Sequence, residues 1–447
     1  MSSIKKLAIR GTIWTVAGYG ASQILRFGSN LVLTRLLFPE LFGLMALVYV
    51  FISGLHLFSD IGISTSVVQN RRGDDPAFLN TAWTLQIVRG VVLWVCCLVI
   101  AWPVAQFYKE PQLLWLIPVV GLSETIISGF NSTSLYTLNR HLSVKQLAIF
   151  ELGGQVVTIV VMIVWAYFNK TIWALVMGTL VSAFFKLAWS HRMNPGAPNR
   201  FAWEKEANKE LISFGKWIFV STALTFLATQ SDRLVLGKIF PISLLGVYGI
   251  AYTLADIPKQ VTMAVGGKVI FPTYAKFAEL PREEFREKIK RSRKFILIPA
   301  AIGLAVLVSF GDVVISILYD NRYADAAWML PILALGIWPV ILNTTLDVAL
   351  FAIGNPRYVA YGSFWSGLFL IGGILLGEHY YGTLGAVIAV PFSNVPPYFV
   401  ITYGLWREKL TCLGQDISTT ALLLVLLAVL IGGRVAAGFP LPIPGIP

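Results

Sequence analysis

Residues 31–49, LVLTRLLFPELFGLMALVY, return in altered form as residues 234–252, LVLGKIFPISLLGVYGIAY. Each stretch runs LVL, a base (Arg35 or Lys238), Phe-Pro, a glycine (Gly43 or Gly246) and a tyrosine (Tyr49 or Tyr252), with a one-residue slip around the Phe-Pro. Both lie among apolar runs of about 20 residues, the length that crosses a bilayer as a helix. Such runs recur along the whole chain, at approximately 11–36, 41–67, 81–106, 112–138, 146–168 and 171–191. After a polar stretch they resume at 210–237, 243–271, 294–318, 325–352, 357–377 and 382–405, and a last run covers 418–433 before the tail FPLPIPGIP. Six spans in each half is an even number, so both halves start on the same side of the membrane. That is a parallel repeat about an axis along the membrane normal, with a candidate substrate site between the halves. The expected fold is therefore an all-α polytopic membrane protein. Two six-helix lobes in a pseudo-twofold, parallel repeat surround a central cavity, with 12 spans plus a thirteenth. The corresponding domains are an N-lobe at 1–192, a cytoplasmic linker at 193–209, a C-lobe at 210–406 and an extra span with a proline-rich tail at 407–447.

Composition agrees. Of 447 residues, 56% are hydrophobic and 13% charged, and the mean hydropathy is +0.71. The strict alternation of a membrane β-strand is absent, which leaves helices as the spanning structure. A net charge of +12 would suggest nucleic acid in a water-soluble chain. With the N-terminus inside, however, the cytoplasmic segments hold 22 Lys and Arg against 6 on the other side. That bias sets orientation, and no nucleic acid is implied. Lys5, Lys6 and Arg10 precede a first helix too long for a signal peptide, with no small-residue cleavage site, so it reads as a retained span. Cys96, Cys97 and Cys412 imply no disulfide framework. The segment 274–293 carries Phe285 and Ile289 at helical spacing among charges. It reads as an amphipathic helix on the inner leaflet or as a solvated connector between lobes.

The stretch TFLATQSDRLVLG (225–237) places Asp232 beside Arg233 within an apolar span. A charge at mid-membrane costs about 2.5–3.5 kcal/mol on insertion scales, so it faces a cavity or a partner. On a helical wheel Thr222, Thr225, Thr229, Asp232 and Arg233 share an arc of about 100°. Thr15, Tyr19, Ser22, Arg26 and Ser29 share about 80° of span 1, as do Tyr49, Ser53, His56, Asp60 and Ser64 of span 2. Span 4 adds Glu124, Ser128 and Asn131, and span 10 adds Asn343 and Asp347, with weaker stripes at Arg89 and Glu151. These faces can line an aqueous lumen, or their charges can pair and hold the bundle together. For Asp232 with Arg233 both remain open. Arg26 and Arg89 have no acid close in sequence in their own spans, which favours a functional cation. Asp60, Glu124 and Asp347 are partners for those bases or protonatable coupling sites, and His56 is a hydrogen-bonded wall residue. Asp256, Lys259 and Lys268 belong to the inner mouth. The four histidines are scattered and no Cys/His cluster or phosphate-binding loop appears, so neither metal nor cofactor is implied. The sequons at Asn131 and Asn343 fall inside spans, and energy must come from an ion gradient, the membrane potential or the substrate.

LFSDIGISTSVVQN (57–70) followed by FLNTAWTLQIVRG (78–90) resembles the N-lobe of Wzx-type polysaccharide flippases, members of the multidrug/oligosaccharidyl-lipid/polysaccharide transporter superfamily. The Phe-Pro pattern after spans 1 and 7 is similar too, and the resemblance covers about residues 1–410. It implies two six-helix lobes in a V around a central cavity and no catalytic residues. Such proteins flip undecaprenyl-diphosphate-linked oligosaccharide from the cytoplasmic to the outer leaflet of the bacterial inner membrane. Many have fourteen spans, against the thirteen read here. Under this resemblance Arg26, Arg89 and Arg233 face the diphosphate, with Asp60, Glu124, Asp232 and Asp347 completing the substrate-binding set. The partners are the lipid-linked oligosaccharide, the bilayer, and a polysaccharide polymerase and glycosyltransferases. The competing expectations are a drug/cation antiporter of the same superfamily, with Asp60, Glu124 or Asp347 binding the ion, and a membrane polysaccharide polymerase or glycosyltransferase. The short outer loops argue against the last.

Overall fold

A computed structural model describes residues 2–60, 62–193, 199–265, 274, 277 and 280–442. It describes side chains within these except at 2–13, 15–16, 209, 212–225, 227–228 and 264–265. Helices joined by turns make up the described residues, and no strand occurs among them. The chain divides into two compact units, Met1–Phe226 and Leu227–Pro447. The first holds α1 (Ser2–Leu36), α2 (Pro39–Phe58), α3 (Ile63–Gln69), α4 (Pro76–Tyr108), α5 (Leu113–Gly121), a π-helical segment (Leu122–Ile127), α6 (Ser134–Arg140), α7 (Val144–Phe168) and α8 (Trp173–Ser190). The division falls within α9 (Lys205–Ile239). The second unit continues with α10 (Ile242–Ala255), α11 (Ile257–Val265), α12 (Arg282–Leu318), α13 (Ala326–Ala352), α14 (Arg357–Phe392), α15 (Val395–Arg407) and α16 (Leu413–Ala436).

Eight described helical stretches are long and apolar enough to cross a membrane. One of them, Arg357–Arg407, has 51 residues. At 1.5 Å per residue that is about 76 Å, enough for two crossings of a hydrocarbon core of about 30 Å. Its turning points are Gly382, whose φ of 59° and ψ of −148° no side-chain-bearing residue adopts cheaply, and the 393–394 turn before α15. The protein is a multi-pass α-helical membrane protein.

Each of the two Phe-Pro dipeptides stands at a break between helices. Phe38 is extended (φ −85°, ψ 151°) ahead of Pro39 at the start of α2, and Pro241 (ψ 145°) precedes α10. Proline removes an amide donor and forces its predecessor out of the helical region, so the break follows from the dipeptide itself.

Several expected spans are corrected. The span at 41–67 ends at Phe58, and Asp60 lies beyond it, its side chain accepting from the Gly62 amide at 2.8 Å to start α3. The span at 112–138 is three pieces, α5, the π segment and α6. The amphipathic segment before residue 294 is neither an in-plane helix nor a solvated connector. From Arg282 it forms the first turns of α12, and Phe285 and Ile289 are fully buried with Tyr274 in the core of the second unit. Lys268 lies outside the described residues.

The apolar run at 418–433 lies within α16, a 24-residue helix long and apolar enough to cross a membrane and clamped to α12 by two ion pairs. At one end Arg293, wholly buried, reaches Asp416 at 2.7 Å and donates to Thr345 of α13 at 3.1 Å. Tyr398 of α15 donates to the other Asp416 oxygen at 2.9 Å. At the far end Arg434 donates to Asp312 and to the Ser309 carbonyl, both at 2.6 Å. Arg293 to Asp312 and Asp416 to Arg434 each cover about 27–29 Å of helix, so the two helices run parallel and the pairs stand one hydrocarbon thickness apart. Arg293 and Arg434, which sequence assigns to loops, are therefore interior residues. Breaking a buried pair strands a charge, whereas replacing both partners by apolar groups does not. Arg293→Met and Asp416→Leu alone are expected to lower stability by about 3–5 kcal/mol. The double replacement should recover most of that loss in melting curves of the detergent-solubilised protein, and single variants that melt like the parent would contradict the clamp.

Candidate functional site

In the first unit α4 carries Gln86, Arg89 and Gly90 along one face, and the π segment packs against it. A Cβ on Gly90 would lie 2.6 Å from the Thr125 carbonyl oxygen, so only glycine admits the π segment this closely. The π turn also departs from the 100° wheel and carries Glu124 into the space between α2 and α4. A cavity of about 260 Å³ results, lined among others by His56, Gln86, Arg89, Glu124, Ser128, Asn131 and Tyr136. Gln86 ties its walls together: its amide donates to the Gly129 carbonyl at 2.8 Å, and Tyr136 donates to its oxygen at 2.6 Å.

Arg89 donates through Nε to Ser59 Oγ and through Nη2 to the His56 carbonyl, both at 3.0 Å. Those bonds tie Arg89 to the C-terminal end of α2. His56 Nε2 and Asn131 Oδ1 are buried and have no hydrogen-bond partner among the described residues. The cavity thus offers a cation, a carboxylate and unmatched amide and imidazole atoms, a mixture suited to hydroxyl-rich polar groups.

In the second unit the adjacent charges of the QSDR stretch do not pair. Asp232, 4% exposed, accepts from the Tyr248 hydroxyl at 2.8 Å. Arg233 lies over the Tyr252 ring at 5.8 Å, with Gln230 at 3.5 Å. Tyr252 is the repeat tyrosine, so the aromatic that marks the repeat supports the cation. The reading in which Asp232 neutralises Arg233 is corrected: turned to Tyr248, the carboxylate is not within ion-pair range.

Other expected residues scatter. Arg26 is exposed on α1, about 15 Å of helix from its end at Leu36. Ser22, expected on the same lumen face, instead donates to Gln155 of α7 at 2.7 Å. Thr15, Thr222 and Thr225 have side chains outside the described residues. Asp347 has a buried, unpartnered Oδ1, and Asn343 donates to the Asn394 carbonyl at 3.3 Å. Asn131 sits in the turn between the π segment and α6, not within a helix. Asp256 is ion-paired with Lys259 at 2.6 Å.

One distinction separates the cations. Lys186, Lys259, Arg293 and Arg434 each have a carboxylate within ion-pair distance, supplied by Glu151, Asp256, Asp416 and Asp312. Among the described residues Arg26, Arg89 and Arg233 have none.

Outside the membrane the α3–α4 turn is held by charge. Arg72 bridges Asp75 at 2.6 Å and Glu204 at 2.7 Å, and its guanidinium keeps the Asp75 carboxyl below the usual range. Arg140 donates to the Asn70 carbonyl at 2.6 Å and pairs with Asp74 at 2.9 Å. No group of three His, Cys, Asp or Glu able to hold a metal occurs among the described residues. Sequence missed Gln86, Tyr136, Tyr248 and Arg293. Gln86 was within reach, one turn before Arg89 on the same face.

A model of a family described as polysaccharide biosynthesis proteins matches residues 32–328. Among curated relatives, the teichuronic acid biosynthesis protein TuaB of Bacillus subtilis is 25% identical over 320 residues, covering 71% of this chain and 65% of its own length. The succinoglycan biosynthesis transport protein ExoT of Rhizobium meliloti is 22% identical over 330 residues, covering 74% and 66%. The lipopolysaccharide biosynthesis protein WzxC of Escherichia coli is 24% identical, covering 68% and 62%. The matches thus span a little under two thirds of these relatives. Among solved structures, the lipid II flippase MurJ in an inward closed conformation superposes with a TM-score of 0.71 at 12% identity, covering 93% of this chain and 92% of that one. An inward-facing multidrug resistance transporter of the MATE family gives 0.70 at 14% identity, covering 86% and 94%. The fold is that of these transporters.

Because Asn131 Oδ1 has no partner among the described residues, removing it sacrifices none of the hydrogen bonds they make. Asn131→Ala is expected to change stability by less than about 1 kcal/mol. A marked loss of thermal stability would show the cavity wall to be structural instead.

Proposed function

The chain belongs to the polysaccharide biosynthesis protein family, and from that premise we propose that it is a flippase. It moves undecaprenyl-diphosphate-linked oligosaccharide repeat units from the cytoplasmic to the outer leaflet for surface polysaccharide synthesis. Two six-helix lobes in a parallel repeat work by alternating access around a central cavity, in a bacterial inner membrane with the N-terminus cytoplasmic. The matching Phe-Pro breaks before α2 and α10 support the repeat.

The observation that carries the assignment is the set of intramembrane cations with no carboxylate in ion-pair range among the described residues. An arginine left unpaired in a membrane is costly unless something else supplies negative charge. A diphosphate does so, and the guanidinium matches its oxygens with paired donors. Arg26, Arg89 and Arg233 take that role. The α4–π cavity, with Glu124 and Asn131, contacts sugar hydroxyls, and the polyprenyl tail stays in lipid. Asp60, Asp232 and Asp347 shape the surrounding field. An inside-negative potential drives an anion outward by about 2.3 kcal/mol per charge per 100 mV. A polymerase and glycosyltransferases act before and after this step.

Arg26→Gln, Arg89→Gln and Arg233→Gln are each expected to lower surface polysaccharide about tenfold or more in a strain lacking its own flippase, at unchanged membrane levels. Full activity of all three would remove the assignment. One observation favours the drug/cation antiporter: the buried, unpartnered Asp347 Oδ1 has the character of an ion site. Cation-driven efflux from vesicles, without any effect on polysaccharide, would decide for it.

A further inference from the structure

Between α12 and α16, near the Arg293–Asp416 pair, lies a cavity of about 700 Å³ that the transport reading does not use. Its polar end carries Lys290, Arg291 and Lys294 of α12. Lys290 is matched by Glu287 at 2.7 Å, while Arg291 and Lys294 have no carboxylate partner among the described residues. The acid closest in sequence on α16, Asp416, is turned to Arg293. No side chain caps the N-terminus of α16 at Cys412, so the positive end of that helix adds to the same field.

Polarity then falls along the cleft. On α12 the lining passes from Lys290 and Lys294 to Ile298, and on α16 from Gly414 through Ser418 to Leu422. Eight helical residues cover about 12 Å, so charge, hydroxyl and hydrocarbon follow one another over that distance. Phe295 and Ile417, each next in sequence to a lining residue, are 76% and 68% exposed, so the apolar surface continues outside the cleft. A free phosphate has no use for the apolar floor; a phospholipid matches all three zones.

We propose that this cleft is a binding site for an anionic phospholipid of the bilayer. Its phosphate lies between Arg291, Lys294 and the first turn of α16, its glycerol esters meet Ser418, and an acyl chain runs over Ile298 and Leu422. By the charge topology the leaflet is the cytoplasmic one, where anionic lipid attracts basic groups. The bound lipid supplies the negative charge that the protein withholds from Arg291 and Lys294.

The test is lipid retention by the purified full-length protein, carried from detergent into mixed micelles of phosphatidylglycerol or phosphatidylcholine and followed by native mass spectrometry and melting temperature. Phosphatidylglycerol is expected to be retained and to raise the melting temperature; phosphatidylcholine is not. The variant Arg291→Gln/Lys294→Gln should lose about fivefold or more of that retention, and Ser418→Phe, which fills the cleft without altering charge, should lose it too. A control, Lys145→Gln/Arg407→Gln, removes the same charge elsewhere and should behave as the parent. Equal loss in the control would reduce the effect to net charge, and equal retention of both lipids would exclude headgroup recognition. Displacement by millimolar inorganic phosphate alone would point to a free anion. Competition by undecaprenyl diphosphate but not by phosphatidylglycerol would assign the cleft to cargo. Each of these four outcomes overturns the proposal.

Discussion

A charge placed in hydrocarbon needs a counter-charge, and the chain meets that demand in two ways. Where the cation is architectural, the protein supplies the acid. Arg293 with Asp416 and Arg434 with Asp312 join α12 to α16 at both ends of one membrane thickness. Such pairs contribute little net free energy compared with apolar packing, but they leave few registers in which α16 can dock, because a slip of one residue breaks both pairs and strands four charges. The cations proposed to face cargo phosphate, Arg26, Arg89 and Arg233, have no acid within ion-pair distance among the described residues. Asp232 neighbours Arg233 in sequence yet is engaged by Tyr248, and Tyr252 holds the guanidinium apart. The same two groups side by side could have cancelled; instead Tyr248 engages the acid and the repeat tyrosine Tyr252 the cation.

Much of this was legible in the sequence. Apolar length gave the helices, and the Phe-Pro dipeptides gave the breaks before α2 and α10. Arg89 and Glu124 were singled out separately, and folding brings them to one cavity. What failed did so where helix geometry changes within a span. A wheel at 100° per residue holds only for an unbroken α-helix, so it misplaced Asp60, beyond the end of α2, and Asn131, beyond the π segment. It could not show Ser22 bonded to α7, because that depends on which helix lies opposite.

Arg293 is the more instructive miss. It follows Phe285 and Ile289 at intervals of four and precedes Leu297 by four, all of them buried. The periodicity was in the sequence, but a basic run invites counting as loop, and the matching acid lies 123 positions away at Asp416. Long-range pairing of this kind has no local signature. The Gln86–Tyr136 bond, across fifty positions, is hidden for the same reason.

The central claim is that Arg26, Arg89 and Arg233 are kept free of carboxylates so that cargo phosphate can take their place. Gln230→Glu tests it most directly, because it offers Arg233 a carboxylate from the residue already beside it. Binding of undecaprenyl diphosphate to the purified protein should weaken by about tenfold or more as the internal pair forms, with the melting temperature unchanged or higher. Undiminished binding in that variant, with the pair formed, would contradict the account.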